Sequence, residues 1–138
     1  MSVKVRRVDY FRTEVQDAVG TAYRLLKKLA SHDVNLLAIT AVPMGPTHTQ
    51  FTLFPEDSNK LIDAAQRLKI TLVGPERAIL IYGEDQLGAL VDYHLKLTDA
   101  RINVYATTGV TDGKGGFGYV IFVRPDDFEA TVAALGAE

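Results

Sequence analysis

This chain of 138 residues repeats itself, and the repeat limits what it can fold into. A shift of 68 positions (Asp17 onto Asp85) carries Glu14-Val15-Gln16-Asp17-Ala18-Val19-Gly20 onto Tyr82-Gly83-Glu84-Asp85-Gln86-Leu87-Gly88. The same shift carries Leu29 onto Leu97 and Val34-Asn35 onto Ile102-Asn103. Past the next loop the shift becomes 70, and Phe54-Pro55-Glu56-Asp57 falls on Arg124-Pro125-Asp126-Asp127. A fixed offset broken by a short loop insertion is the trace of a duplicated module. Two copies are too few for a solenoid, whose repeats share a core over three or more units. Each copy is therefore a small domain, marginal alone and docked on its twin. The expected boundaries are 1–73 and 74–138, with Gly74-Pro75 as the joint.

Charge sharpens this division. Residues 1–73 carry ten Lys and Arg against seven Asp and Glu, and residues 74–138 carry five against ten, giving +3 and −5. The halves are expected to attract modestly, and neither has the strongly basic balance of a nucleic-acid binder. A hydrophobic content of 47% supplies a core and excludes disorder. No apolar run reaches a membrane span and no signal-peptide pattern opens the chain, so a cytoplasmic protein is expected. With no cysteine there is no disulfide, thiolate nucleophile or zinc–thiolate site.

Residues 3–15 read as strand, too long for one module without a bend or a break. Val19, Ala22, Tyr23, Leu26, Leu29 and Ala30 follow helical spacing, with Asp17 as the N-cap. Strands follow at 36–42 and 49–54, a helix from Ser58 with Leu61, Ile62, Ala65 and Leu68 inward, and a closing strand at 70–73. The second copy repeats the order: strand 78–82, helix 87–97 with Leu87, Leu90, Val91, His94 and Leu97 inward, strands 102–108 and 117–123, and helix 127–135. No fourth strand follows in this copy, and its open edge needs cover from residues 3–7 or from another subunit. The fold class is α+β: two ferredoxin-like βαββαβ modules in tandem, antiparallel sheets with helices on one face.

The strand-to-helix junctions carry the functional signal. Asp17-Ala18-Val19-Gly20 and Glu84-Asp85-Gln86-Leu87-Gly88 each lead into a helix, and Asn35 or Asn103 opens the following strand. Free amides at a helix N-terminus suit a carboxylate, glycine permits close approach, and asparagine offers donors and an acceptor. Helix capping by the aspartates and helix termination by the asparagines account for the same residues structurally. Asp85-Gln86-Leu87-Gly88-Ala89-Leu90 and Arg101-Ile102-Asn103-Val104 resemble the ACT domain, with Leu87 in place of its proline and Arg101 in place of its glycine. The first copy departs further, with Val19 and Ala22 at the proline and leucine positions. The resemblance implies a non-catalytic regulatory protein binding an amino acid or similar effector at module interfaces, and a homodimer. It implies no cofactor or metal.

Two other motifs compete. Gly116-Phe117-Gly118-Tyr119-Val120-Ile121-Phe122 resembles the ribonucleoprotein consensus, in which Phe117 and Tyr119 would stack on bases. The acidic balance of residues 74–138 opposes that alternative, and the matching strand Gln50-Phe51-Thr52-Leu53 lacks the motif. Gly113-Lys114-Gly115-Gly116 lacks the hydroxyl residue and helix of a phosphate loop. A nucleotide-responsive signalling protein remains as a further alternative. His32, His48 and His94 show no metal spacing, and no nucleophile–base set points to catalysis.

Overall fold

In a computed structural model of the chain, residues 2–138 are described. They form β1 (Val3–Gln16), α1 (Thr21–Ser31), β2 (Leu36–Met44), β3 (His48–Pro55), α2 (Ser58–Leu68) and β4 (Val73–Glu84). After these come α3 (Val91–Asp99), β5 (Ala106–Thr111), β6 (Gly116–Phe122), a 3-10 turn (Pro125–Asp127) and α4 (Phe128–Leu135). The class is α+β, with strands and helices succeeding one another as in ferredoxin-like units.

The chain divides into two compact units, Asp9–Glu76 and Met1–Val8 with Arg77–Glu138. The division differs from a cut at Gly74-Pro75 because β1 and β4 each run through both units. Gly74 lies inside β4, where a Cβ would fall 2.8 Å from the Tyr10 carbonyl oxygen; it permits close strand approach rather than forming a linker. β1 is one continuous strand of 14 residues rather than two, and its residues divide between the two units. The expected charge asymmetry also disappears. Residues 9–76 hold seven Lys and Arg against eight Asp and Glu, and the other unit eight against nine, so each is −1.

Within residues 9–76 the strands run in the order β2-β3-β1-β4. The pairs β2/β3 and β1/β3 are antiparallel, with Phe11 opposite Leu53 and Thr13 opposite Phe51. Alternation puts Phe11, Phe51 and Leu53 on one face, where Leu25 and Leu29 of α1 and Leu61 of α2 close the core. Burying each such side chain contributes about 1.5–3 kcal/mol. The helix-spacing reading of α1 had the wrong phase: Val19, Tyr23 and Leu26 are exposed, while Leu25 joins Leu29 inside. Apolar residues cover more than one face of this helix, so periodicity alone could not select the buried one.

In the other unit the order is β1-β4-β6-β5, with Ile79 opposite Ile121 and Ile81 opposite Tyr119. These residues pack with Leu97 of α3 and Phe128 and Leu135 of α4. The first residues of β1 supply the fourth strand: Glu84 N donates to Ser2 O, and Val5 and Arg7 exchange backbone bonds with Glu138. Here α3 starts four residues later than the periodicity suggests. Leu87 and Val91 are exposed, and Leu97 is the buried residue of the helix.

Candidate functional site

Both strand-to-helix turns form, with the same backbone solution. Asp17 N donates to Thr47 O and Asp85 N to Gly115 O, tying each turn to the neighbouring hairpin. Gly20 and Gly88 adopt left-handed φ values of 85° and 71°, which glycine accommodates without steric cost. Asp17 is not the expected helix cap. The N-cap is Gly20, with no side-chain bond, and the first turn closes through Thr21 N to Ala18 O. Three extra turn residues carry the Asp17 carboxylate out of reach of the helix amides.

The two turns differ in what surrounds them. In the second, Asp85, Gln86 and Gly88 line a cavity of about 570 Å³ with Leu90, Val110, Phe117 and Tyr119. The backbone amides of Gln86, Leu87 and Gly88 make no hydrogen bond to the chain among the described residues. The Leu87 side chain is fully exposed, and Glu84 at the strand end is exposed too; neither lines the cavity. Asp85 is the sole charged group in a lining that is otherwise neutral and largely apolar. Gly109 lets β5 cross Tyr119, since a Cβ there would lie 2.7 Å from the ring.

In the first module Asp17, Ala18 and Val19 are exposed and, with Gly20, stand outside the neighbouring cavity. The Arg24 guanidinium lies over Gly20, 2.8 Å from where a Cβ would be. The adjoining cavity, about 790 Å³, is lined by Arg12, Arg24, Lys28, His48 and Lys69 among others. Sequence reasoning passed over these cations. The i,i+4 spacing of Arg24 and Lys28 places them on one face of α1, but their meeting with His48 and Lys69 depends on the fold.

The asparagines do not join the turns of their own modules. Asn35 Nδ2 donates to Glu56 Oε2, and Asn35 O accepts from Glu56 N, beside the end of β3. Asp17 sits by Thr47, before the start of that strand. With about 3.3 Å per strand residue, the two ends are more than 20 Å apart. Asn103 is exposed, two residues before Tyr105 N meets Phe122 O, whereas Asp85 is tied to Gly115 before the other end of β6. The reason is topological: a strand, a returning helix and a second strand put the first strand's end and the second strand's start at opposite ends of the sheet.

The ribonucleoprotein-like strand faces its own core. Tyr119 is 8% exposed and its hydroxyl is 2.8 Å from His94 Nε2, with the rings edge to face. A ring held there offers no stacking platform, and Phe117 is half-buried against the same cluster. The glycine-rich loop before it is a hairpin pinned by Asp112, which accepts from Lys114 N at 2.6 Å and Gly116 N at 3.0 Å. These two amides hold the Asp112 carboxyl below its ordinary pKa. Among the described residues no three His, Asp or Glu side chains gather as metal ligands, and no helix is long and apolar enough to cross a membrane.

No family model and no curated protein matches the sequence. Solved structures do match the fold. Protein BT0572 from Bacteroides thetaiotaomicron superposes with a TM-score of 0.78 at 15% identity, over 97% of this chain and 88% of that one. The ligand-free regulatory subunit of aspartate kinase from Thermus thermophilus gives 0.64 at 14% identity, over 99% and 95%. The corresponding subunit from Thermus flavus gives 0.59 at 10%, over 98% and 94%. At these identities the likeness is one of fold.

Proposed function

We propose that this chain is a non-catalytic regulatory protein of two ACT-like modules in tandem, binding an amino acid or similar small effector. The observation that carries the reading is the second module's turn. There Asp85, Gln86 and Gly88 line an apolar-walled cavity, and the backbone amides of Gln86 and Gly88 are left without partners among the described residues. Those amides suit a carboxylate, Asp85 an ammonium, and Leu90, Val110 and Phe117 an apolar side chain. The fold shared with regulatory subunits of aspartate kinase supports the regulatory role. Exposed apolar residues on both helices of the turns, Tyr23 and Leu26 on α1 and Val91 and Leu95 on α3, support a homodimer. The protein acts in the cytoplasm on this reading. The Asp17–Gly20 turn is a weaker site because Arg24 covers it, and Asn35 and Asn103 can contribute only to a ligand held by another module or subunit.

Calorimetry of the whole chain against the free amino acids tests this. An amino acid with an apolar side chain is expected to bind, and Asp85→Asn to weaken it about tenfold or more, the loss of one charge-assisted hydrogen bond. Gly88→Val is unsuitable as a probe, since φ of 71° would strain the turn itself. Absence of binding by every amino acid, or unchanged affinity in Asp85→Asn, would remove the proposed site.

A further inference from the structure

The cavity of residues 9–76 has a chemistry that an amino acid does not need. Four permanent cations line it, Arg12, Arg24, Lys28 and Lys69, with His48 beside them and Glu14 as the one carboxylate. The local balance of the lining is +3 in a unit whose total is −1, with Glu76, bound to Arg12, as the other carboxylate at hand. Arg12 is bound to Glu76 through Nη2. Among the described residues Arg24, Lys28 and Lys69 have no carboxylate within ion-pair distance. Self-repulsion among like charges facing one space destabilises a fold unless an anion offsets it.

Arg12 Nε is buried and has no hydrogen-bond partner, although the same guanidinium is paired at Nη2. The Nη2 bond to Glu76 leaves this Nε unpaired within the fold. The remaining walls are of another kind. Val15, Leu25, Ile70 and Val73 give an apolar side, and Thr13, Thr21, Gln50 and Thr71 give neutral polar groups. At about 790 Å³ the space is within the range of small-molecule sites and larger than a single amino acid requires.

We infer that this cavity binds a nucleotide-sized organic polyanion, its phosphates held by Arg24, Lys28, Lys69 and Arg12 and its ring system laid on the Val15–Ile70 side. A ligand with one carboxylate would leave most of the cationic lining uncompensated, and a bare polyphosphate would leave the apolar wall in water. The site stands apart from the Asp85 cavity in both residues and chemistry, so it does not rest on amino-acid binding there.

The test is calorimetric titration of the full chain with ATP, tripolyphosphate and adenosine at low salt. ATP is expected to bind, tripolyphosphate to bind at least about tenfold more weakly, and adenosine more weakly still. Raising the salt to about 0.15 M is expected to weaken ATP binding, because the site is open to screening. Arg24 and Lys28 are exposed on α1, and Arg24→Gln/Lys28→Gln is expected to lower ATP affinity by roughly tenfold or more with an unchanged circular-dichroism spectrum. Lys96→Gln, in the other unit and outside both cavities, is expected to leave it unchanged. Undetectable ATP binding at millimolar concentration, an unaltered affinity in the double variant, or equal affinity for tripolyphosphate would overturn the assignment. Because Asp85→Asn reports on the other cavity, the two sites fail or stand separately.

Discussion

The two strand-to-helix turns share an aspartate, a left-handed glycine and a tie to the neighbouring hairpin, yet one lies beside a cationic cavity and the other lines an apolar one. At the repeat's own shift, Arg24 corresponds to Asp92 and Leu25 to Tyr93. The left-handed glycine, the tie to the neighbouring hairpin and the turn bond (Thr21 N to Ala18 O, Ala89 N to Gln86 O) are retained, while α1 opens at Gly20 and α3 only at Leu90. The groups that line the two cavities come largely from the helix face and from other strands, where the two copies of the repeat differ. On the proposed reading, the shared turn sets where a ligand can approach and the walls set which ligand.

The largest expected effect probes whether the modules are separate in stability. Phe11 and Phe128 are each 1% exposed at the centre of their cores, and replacing either by Ala is expected to cost about 3–5 kcal/mol. Since β1 and β4 run through both units, both substitutions are expected to shift one common transition. Urea unfolding followed by amide exchange at β3 and at β6 decides this; a variant that releases protection in one unit alone would make the modules independent folders.

A smaller effect separates two residues that the repeat equates. Asp57 caps α2, accepting from Asn59 N at 3.0 Å and Lys60 N at 3.4 Å. Its counterpart Asp127 makes no cap bond, because the preceding 3-10 turn has already wound its backbone into the helical region. Asp57→Ala is expected to cost about 1 kcal/mol and Asp127→Ala close to nothing. Equal losses in thermal unfolding would mean that the aligned aspartates act alike after all.

The smallest effect lies in the Asp112 carboxylate that pins the β5–β6 hairpin, where the β2–β3 hairpin has no aspartate. The Asp112 carboxylate is depressed in the folded state by the Lys114 and Gly116 amides. Its contribution is therefore present above the ordinary carboxylate pKa of about 3.9 and is lost as pH falls through the lower folded value. Faster exchange of the Gly116 amide in Asp112→Asn at neutral pH checks it; identical exchange in the parent would show that the hairpin closes without this carboxylate.

The sequence by itself determined the α+β class, the succession of strands and helices, and the two glycine turns. Each of these rests on local signals: alternation along strands, breakers at loops and a fixed offset between copies. It also marked Asp85, Gln86 and Gly88, since a turn's backbone needs are written in its own residues. Three things were decided only by the tertiary structure. Residues 3–8 joined the second unit because pairing with β4 supplies its fourth strand, a partnership between positions more than 70 residues apart. Tyr119 turned inward to His94 because strand alternation is the same whichever face becomes the core. The cations of the first module converged because α1, β1, β3 and the end of α2 meet at one end of that sheet. No spacing along the chain records such a meeting, because it is a property of how the elements pack.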